Sequence, residues 1–202
     1  MMTGTQLQPH TTRPASDRIL TRIAGMLRFD RRTAYEIARS RRAFDEACIL
    51  AIFVAVAGMI TAHASGPGAI LYEFVQAYGL WFLSAVLVTA FGTAIFGTPT
   101  TSLPNINATL RLFGYAQAPL LLGFAGVIDP LAGLAGAIGW LLMIVTTGFA
   151  VRQLMRISWP RAIIAVLAAR LVAAVPIGVI GFLLHSGDRI FGAIFYSGVH
   201  DG

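Results

Sequence analysis

From residue 47 onward the apolar positions fall in five long runs, separated by short clusters of Gly, Pro, Asp and Arg. Runs of about 17 to 25 apolar residues match the length a helix needs to cross the hydrocarbon core of a bilayer. The pattern predicts spans at about 47–64, 74–97, 112–128, 131–151 and 162–184. Ser65-Gly66-Pro67-Gly68 reads as the turn after the first span, and the proline-rich stretch from Thr98 to Asn105 as the loop after the second. Only Asp129-Pro130 stands between the third and fourth, so those two should form a tight hairpin. The expected fold is all-α: a polytopic membrane bundle of about five transmembrane helices.

The first 46 residues behave differently. Residues 1–15 have no apolar period and read as a disordered tail. In the 16–46 segment Ile19, Leu20, Ile23, Met26 and Leu27 recur at helical spacing, with Arg18, Arg22 and Arg28 between them. Asp30 reads as the N-cap of a second helix whose Ala34, Ile37 and Ala38 share a face. Two placements fit these amphipathic helices: on the membrane surface with the arginines against anionic headgroups, or packed onto the protein's own loops. Beyond the last span, Ile190, Phe191, Ile194, Phe195 and Tyr196 predict an amphipathic tail at the interface over 185–202. No short apolar core with a small-residue cleavage site precedes the first span, which is therefore expected to serve as the targeting signal.

Charge orients the bundle. Residues 1–46 carry nine Arg against five acids, 98–111 carry one Arg and 152–161 carry three, whereas 65–73, 129–130 and 185–202 each come to −1. Short cytoplasmic loops hold the positive excess, so the N-terminus belongs inside, the C-terminus outside, and the chain in the inner membrane as a multi-pass protein. The same clustering beside apolar runs accounts for a pI near 10.4 through lipid headgroups, and gives no reason to invoke nucleic acid. Only 12% of residues are charged, against about a quarter in soluble domains, and every basic residue is Arg.

The chemistry available to such a chain is sparse. Arg170 lies about eight residues into the fifth span, where an unpaired charge costs about 2.5 to 3.5 kcal/mol at a helix centre. Either it snorkels to the cytoplasmic surface, or it forms an intramembrane polar site with Gln117 for a lipid headgroup or polar solute. Gly114, Gly133, Gly136 and Gly139, with Ala118 and Ala137, set small residues at spacings of three and four, suited to close helix packing within the chain or at a dimer seam. Pro119 and Pro176 should kink their spans. Cys48 has no partner for a disulfide or a zinc site, the four His are scattered, and no nucleophile, phosphate-loop or metalloprotease motif is present. No pair of carboxylates falls within the expected spans, so neither catalysis nor a cofactor is expected.

Leu27-Arg28-Phe29-Asp30-Arg31-Arg32-Thr33-Ala34-Tyr35-Glu36-Ile37, preceded by Arg18-Ile19-Leu20, resembles the cytoplasmic lead-in of bacterial Yip-domain membrane proteins. Phe113-Gly114-Tyr115-Ala116-Gln117-Ala118-Pro119 is similar to that family's Gly-Tyr-x-x-x-Pro element, and the short hairpin before Gly139-Trp140 extends the resemblance over about residues 18–184. It implies a five-helix, non-enzymatic membrane domain whose eukaryotic relatives are vesicle-traffic scaffolds associating with Rab GTPases and with one another. The eukaryotic Asp-Leu-Tyr-Gly-Pro element is not found here, which argues against a GTPase partner. The expected function is a membrane scaffold or organising protein, with membrane lipids and a membrane protein or a second copy as partners. The alternative is a lipid or small-solute transporter or channel subunit built around Arg170.

Overall fold

The computed structural model describes residues 15–62, 66–94 and 106–196, and within these it is helical with no strand. The expected tail at 1–14, Ser65 of the first turn, the loop from Thr98 to Asn105 and the last six positions of the C-terminal tail lie outside the described residues. Helices α1 (Ala15–Leu27) and α2 (Arg31–Arg39) precede α3 (Arg42–Thr61), α4 (Pro67–Ala94) and α5 (Ile106–Ala116). A 3-10 helix, Ala118–Val127, then leads into α6 (Asp129–Met155) and α7 (Trp159–Tyr196).

Four helices, α3, α4, α6 and α7, are long and apolar enough to cross a membrane. The third expected span is not a continuous α-helix. Pro119 has no N–H to give the carbonyl four residues earlier, and its ring crowds that carbonyl. The α-helix therefore ends at Ala116, and the chain tightens to i→i−3 bonding, with Leu120 N–H donating to Gln117 O at 2.9 Å. Pro176, by contrast, sits inside α7 without ending it. The C-terminal segment up to Tyr196 continues α7 as one helix and does not start a separate element. At 1.5 Å per residue α7 is about 57 Å long, well beyond the hydrocarbon thickness.

Packing follows the logic of lipid as solvent. On α7 the buried face is small, with Ala162, Ala165, Ala169 and Ala173 spaced by three and four, while Leu171, Phe182 and Leu183 stand outward. Lipid is as apolar as Leu, so close approach of small residues holds the helices together. Gly114 is one such contact: a Cβ there would meet the Cβ of Ala47 and lie 3.0 Å from its Cα, which brings α5 against α3. Gly139 is another, its absent Cβ facing Pro119 O at 2.8 Å. Gly133 and Gly136, expected in the same packing stripe, have open space where a Cβ would point. The α6 stripe therefore packs within the chain only at its C-terminal end, where α6 meets the break beside Pro119.

The N-terminal helices pack onto the protein. Met26, Ala34 and Ile37 are buried with Leu112, Phe113 and Tyr115 of α5 in one core. The α1–α2 turn is a Schellman motif, with Asp30 N–H donating to Gly25 O and Phe29 N–H to Met26 O. Its left-handed position holds Phe29 (φ 56) where glycine is usual. The Phe29 ring compensates by packing edge-on against Phe149 at 5.4 Å and Trp159 at 6.1 Å, tying the turn to α6 and α7. Asp30 is the N-cap of α2, accepting from the N–H groups of Arg32 and Thr33.

Two predictions follow from these contacts. Gly114→Ala and Gly139→Ala overpack and lower the thermal midpoint in detergent by an amount equivalent to about 1 to 3 kcal/mol, whereas Gly133→Ala is neutral or slightly stabilising. A thermal melt of the three variants checks it. The hydrogen bond from Thr33 Oγ1 and those from the Arg32 and Thr33 N–H groups hold the Asp30 carboxyl below the usual aspartate range. Its stabilisation of α2 is therefore full above the pKa of an unfolded-chain carboxyl and is lost as pH falls through its own, lower value. Amide protection at Arg32 and Thr33 should fall in acid for the wild type and stay level for Asp30→Asn, which caps without titrating.

Candidate functional site

Inside the bundle, α3, α4, α6, α7 and the break after α5 enclose a cavity of about 190 Å³. Its polar lining is Arg170 of α7, Gln117 at the break, Glu73 and Gln76 of α4 and Thr61 of α3. Each reaches it for a local reason. Arg170 follows Ala169 on the flank of the small-residue face of α7, so its side chain enters the interior. It lies about 17 Å along a 26-residue apolar window that starts at Trp159. Gln117 is the hinge residue where α5 gives way to the 3-10 helix, and it is buried. Glu73 shares the inward face of α4 with Trp81, Ser84 and Val88 at steps of three, four and eight. It approaches α3 at Gly58, where a Cβ would meet Glu73 Oε2 at 2.6 Å.

The cavity leaves polar atoms unpaired. Among the described residues no hydrogen-bond partner reaches Nε or Nη2 of Arg170 or Oε1 of Gln117, although all three are buried. A buried polar group without a partner costs about 1 to 3 kcal/mol, more when charged. Thr61 Oγ1 is committed elsewhere, donating within reach of Ala57 O and Gly123 O at 2.9 and 3.0 Å. The volume corresponds to roughly six water-sized units, which is room for an ion, a small solute or a headgroup and too little for a ligand of drug size.

These positions decide two readings that the sequence leaves open and correct a third. Arg170 does not snorkel: its guanidinium is buried inside the bundle and shares a cavity with Gln117. Glu73, counted in an outer loop, belongs to α4, because Pro67 takes the first helical position. A helix long and apolar enough to cross a membrane therefore carries an acid. Pro at that position was the signal in the sequence that would have moved the start of the second span to Pro67.

Arg22 is the other reading left open. Of the two placements open to its helix, the membrane surface and the protein itself, the structure shows the second: Arg22 is the hub of a cluster joining α1, α2, α3 and α5. It pairs with Glu46 and, at 3.2 Å, with Glu36, while its Nη2 also donates to Ser40 Oγ at 3.3 Å. Tyr115 of the family-like element donates its hydroxyl to Glu46 and lies 3.5 Å from Arg22 Nη1. Burial alone would lower the Arg22 pKa, but bonding to Tyr115 and Glu36 and the Glu46 charge hold it above the usual arginine range. Of the other arginines grouped with it, Arg18 has its Nε buried and Arg28 is exposed. The remaining family-like residues act on the backbone, Gly114 as a close-approach position and Pro119 as the helix breaker.

Compared with known proteins, the chain matches no family model, no curated protein and no solved structure. Among the described residues no group of three or more His, Cys, Asp and Glu is placed to hold a metal ion.

Removing one member of the Arg22 cluster strands the others. Glu46→Gln and Arg22→Met should each destabilise the protein by about 1 to 3 kcal/mol, and the double variant by much less than their sum, because they share one interaction. Thermal unfolding of the cycle in detergent measures the coupling, and simple additivity would show that the cluster holds nothing together.

Proposed function

We propose that this chain is a non-enzymatic multi-pass membrane protein of the Yip-like type whose bundle binds a small polar, anion-bearing ligand at Arg170, as a lipid or small-solute binding or transport subunit. The observation that carries the reading is the buried, unpartnered guanidinium of Arg170 facing Gln117 across a shared cavity. A charge held at that depth without a protein partner is expensive, and intramembrane ionisable residues of this kind mark substrate or ion sites. A break in a helix is tolerated at membrane depth where it lines a protein cavity, and the break at Gln117 does so.

The reading includes five crossings with the N-terminus inside. Supporting the fifth crossing, the 11 residues of α5 and the 10 of the 3-10 helix reach about 36 Å together, enough for a core of about 30 Å. The scaffold reading keeps one observation of its own: Gly133 is exposed on α6 with open space over it, room for the close approach of a helix from another copy or partner.

Wild type and Arg170→Leu, purified in mild detergent, separate the two by mass spectrometry of what co-purifies. A lipid or anionic solute present in the wild type and depleted at least tenfold in the variant is the expected result. Ligand-stripped Arg170→Leu should also melt higher than ligand-stripped wild type, since the variant removes an uncompensated charge worth about 2 kcal/mol or more. Identical small-molecule profiles, with a protein partner retained by both forms, would overturn the binding role in favour of the scaffold.

A further inference from the structure

A second cavity, larger at about 650 Å³, lies between α2, Leu112 of α5, the end of α6 and the connection to α7, and it shares no lining residue with the one at Arg170. Four arginines line it: Arg31 and Arg32 from the first turn of α2, Arg152 from the last turn of α6, and Arg156 from the connection to α7. No Asp or Glu is among its lining residues. Both ion pairs formed among the described residues belong to Arg22, so none of these four has a carboxylate within 4.0 Å. The nearest acid in sequence, Asp30, spends its oxygens on the N–H groups of Arg32 and Thr33 and on the Thr33 hydroxyl. Arg152 lies over the Trp159 ring at 5.4 Å, which fixes the guanidinium without neutralising it.

The helix dipoles oppose two of these charges and favour the other two. Arg31 and Arg32 stand at the positive end of the α2 dipole, with the Asp30 N-cap beside them, whereas Arg152 and Arg156 stand at the negative end of α6. Arg156 sits in the left-handed region (φ 53) as the C-cap of α6. Four like charges around one cavity repel, and a bound anion relieves that repulsion. The rest of the lining is mixed, with Tyr35 and Gln153 beside Leu112, Leu154 and Ile157. It joins a polar charged mouth to an apolar floor at the level where α6 ends and α7 begins. That combination matches a phosphate carried on a glycerol ester better than a bare ion, and basic pockets between membrane helices on the cytoplasmic side recognise such groups.

We infer that the cavity framed by Arg31, Arg32, Arg152 and Arg156 is a phosphate-binding site that takes the headgroup of an anionic phospholipid. The guanidinium groups bind the phosphate oxygens bidentately, while Leu112, Leu154 and Ile157 receive the first carbons of the lipid. The site is separate from the proposed ligand site at Arg170 and stands whether or not that reading holds.

Native mass spectrometry of the full chain in detergent tests it, with phosphatidylglycerol, phosphatidylcholine and inorganic phosphate as the probes. The expected result, read in the Arg170→Leu background so that the other proposed site does not contribute, is tighter binding of phosphatidylglycerol than of phosphatidylcholine, weakened about thirtyfold by Arg31→Gln/Arg32→Gln and by Arg152→Gln/Arg156→Gln. Phosphatidylglycerol that resists millimolar inorganic phosphate marks the lipid as occupant; displacement by it, with the same loss in both variant pairs, keeps the phosphate site and assigns it to the free anion. Equal binding of the two lipids, or phosphatidylglycerol binding unchanged in both pairs, overturns the proposal. Should a pair fail to fold, wild-type binding that stays level between about 0.05 M and 0.5 M salt overturns it equally.

Discussion

In hydrocarbon a backbone carbonyl or N–H has no water to turn to, so each must find its partner inside the protein. Pro119 breaks that accounting at one place, and much of the bundle is arranged to restore it. The i→i−3 bonding of Ala118–Val127 recovers part of the loss within the segment. Neighbouring helices supply more: Thr146 of α6 reaches Ala116 O at 3.1 Å, and Thr61 of α3 reaches Gly123 O at 3.0 Å. Trp81 of α4 donates to Leu110 O at 2.8 Å just before the break. A 3-10 run of 10 residues is uncommon, since its hydrogen bonds are poorer than those of an α-helix. It persists here because α3 and α6 pack against it on both sides, at Gly123 and at Gly139.

The same break makes space. Gln117 turns out of the α-helical ladder with its side chain in the bundle interior, and α7 presents Arg170 to the same space. Elsewhere in the core some hydroxyls bond back to their own helix, as Thr147 does to Met143 O, others join the compact Arg22, Glu46 and Tyr115 cluster, and Ser84 Oγ is buried without a partner. What sets the cavity apart is that two residues with unpartnered buried polar atoms, Arg170 and Gln117, line the same space. At the other end of the bundle, unpaired arginines again gather round a cavity, this time beside the chain ends of α2 and α6.

Legibility of this protein in its sequence divides along the range of the forces involved. Local ones were readable. The length of apolar runs gave helices of membrane-crossing length, Asp30 gave the start of α2, and Asp129-Pro130 gave the turn into α6, each from interactions within a few residues. Pro119 was readable as a disturbance, though not as a change of helix type, because how a freed carbonyl is satisfied depends on which threonine of another helix stands opposite. Arg170 and Gln117 were readable as unusual residues for a span. Which way Arg170 points is open in the sequence between the cytoplasmic surface and the interior, and the buried face of Ala162, Ala165, Ala169 and Ala173 on α7 decided it.

What only the tertiary structure decided is which unlike residues meet. Glu46, next to the first apolar run, became a core residue because α1 and α5 bring Arg22 and Tyr115 to it from 24 and 69 positions away. Glu73 became part of a membrane-length helix because α4 starts two turns earlier than its apolar run does. Gly133 and Gly139 look alike in sequence, yet one faces open space and the other touches the backbone of Pro119. By itself the sequence determined the solvent, the helices and the charge bias of the chain, since apolar run length and capping act through neighbouring residues. The tertiary structure alone decided the polar cavity and the arginine-lined one, since a site is made where distant residues converge and helix packing sets that convergence.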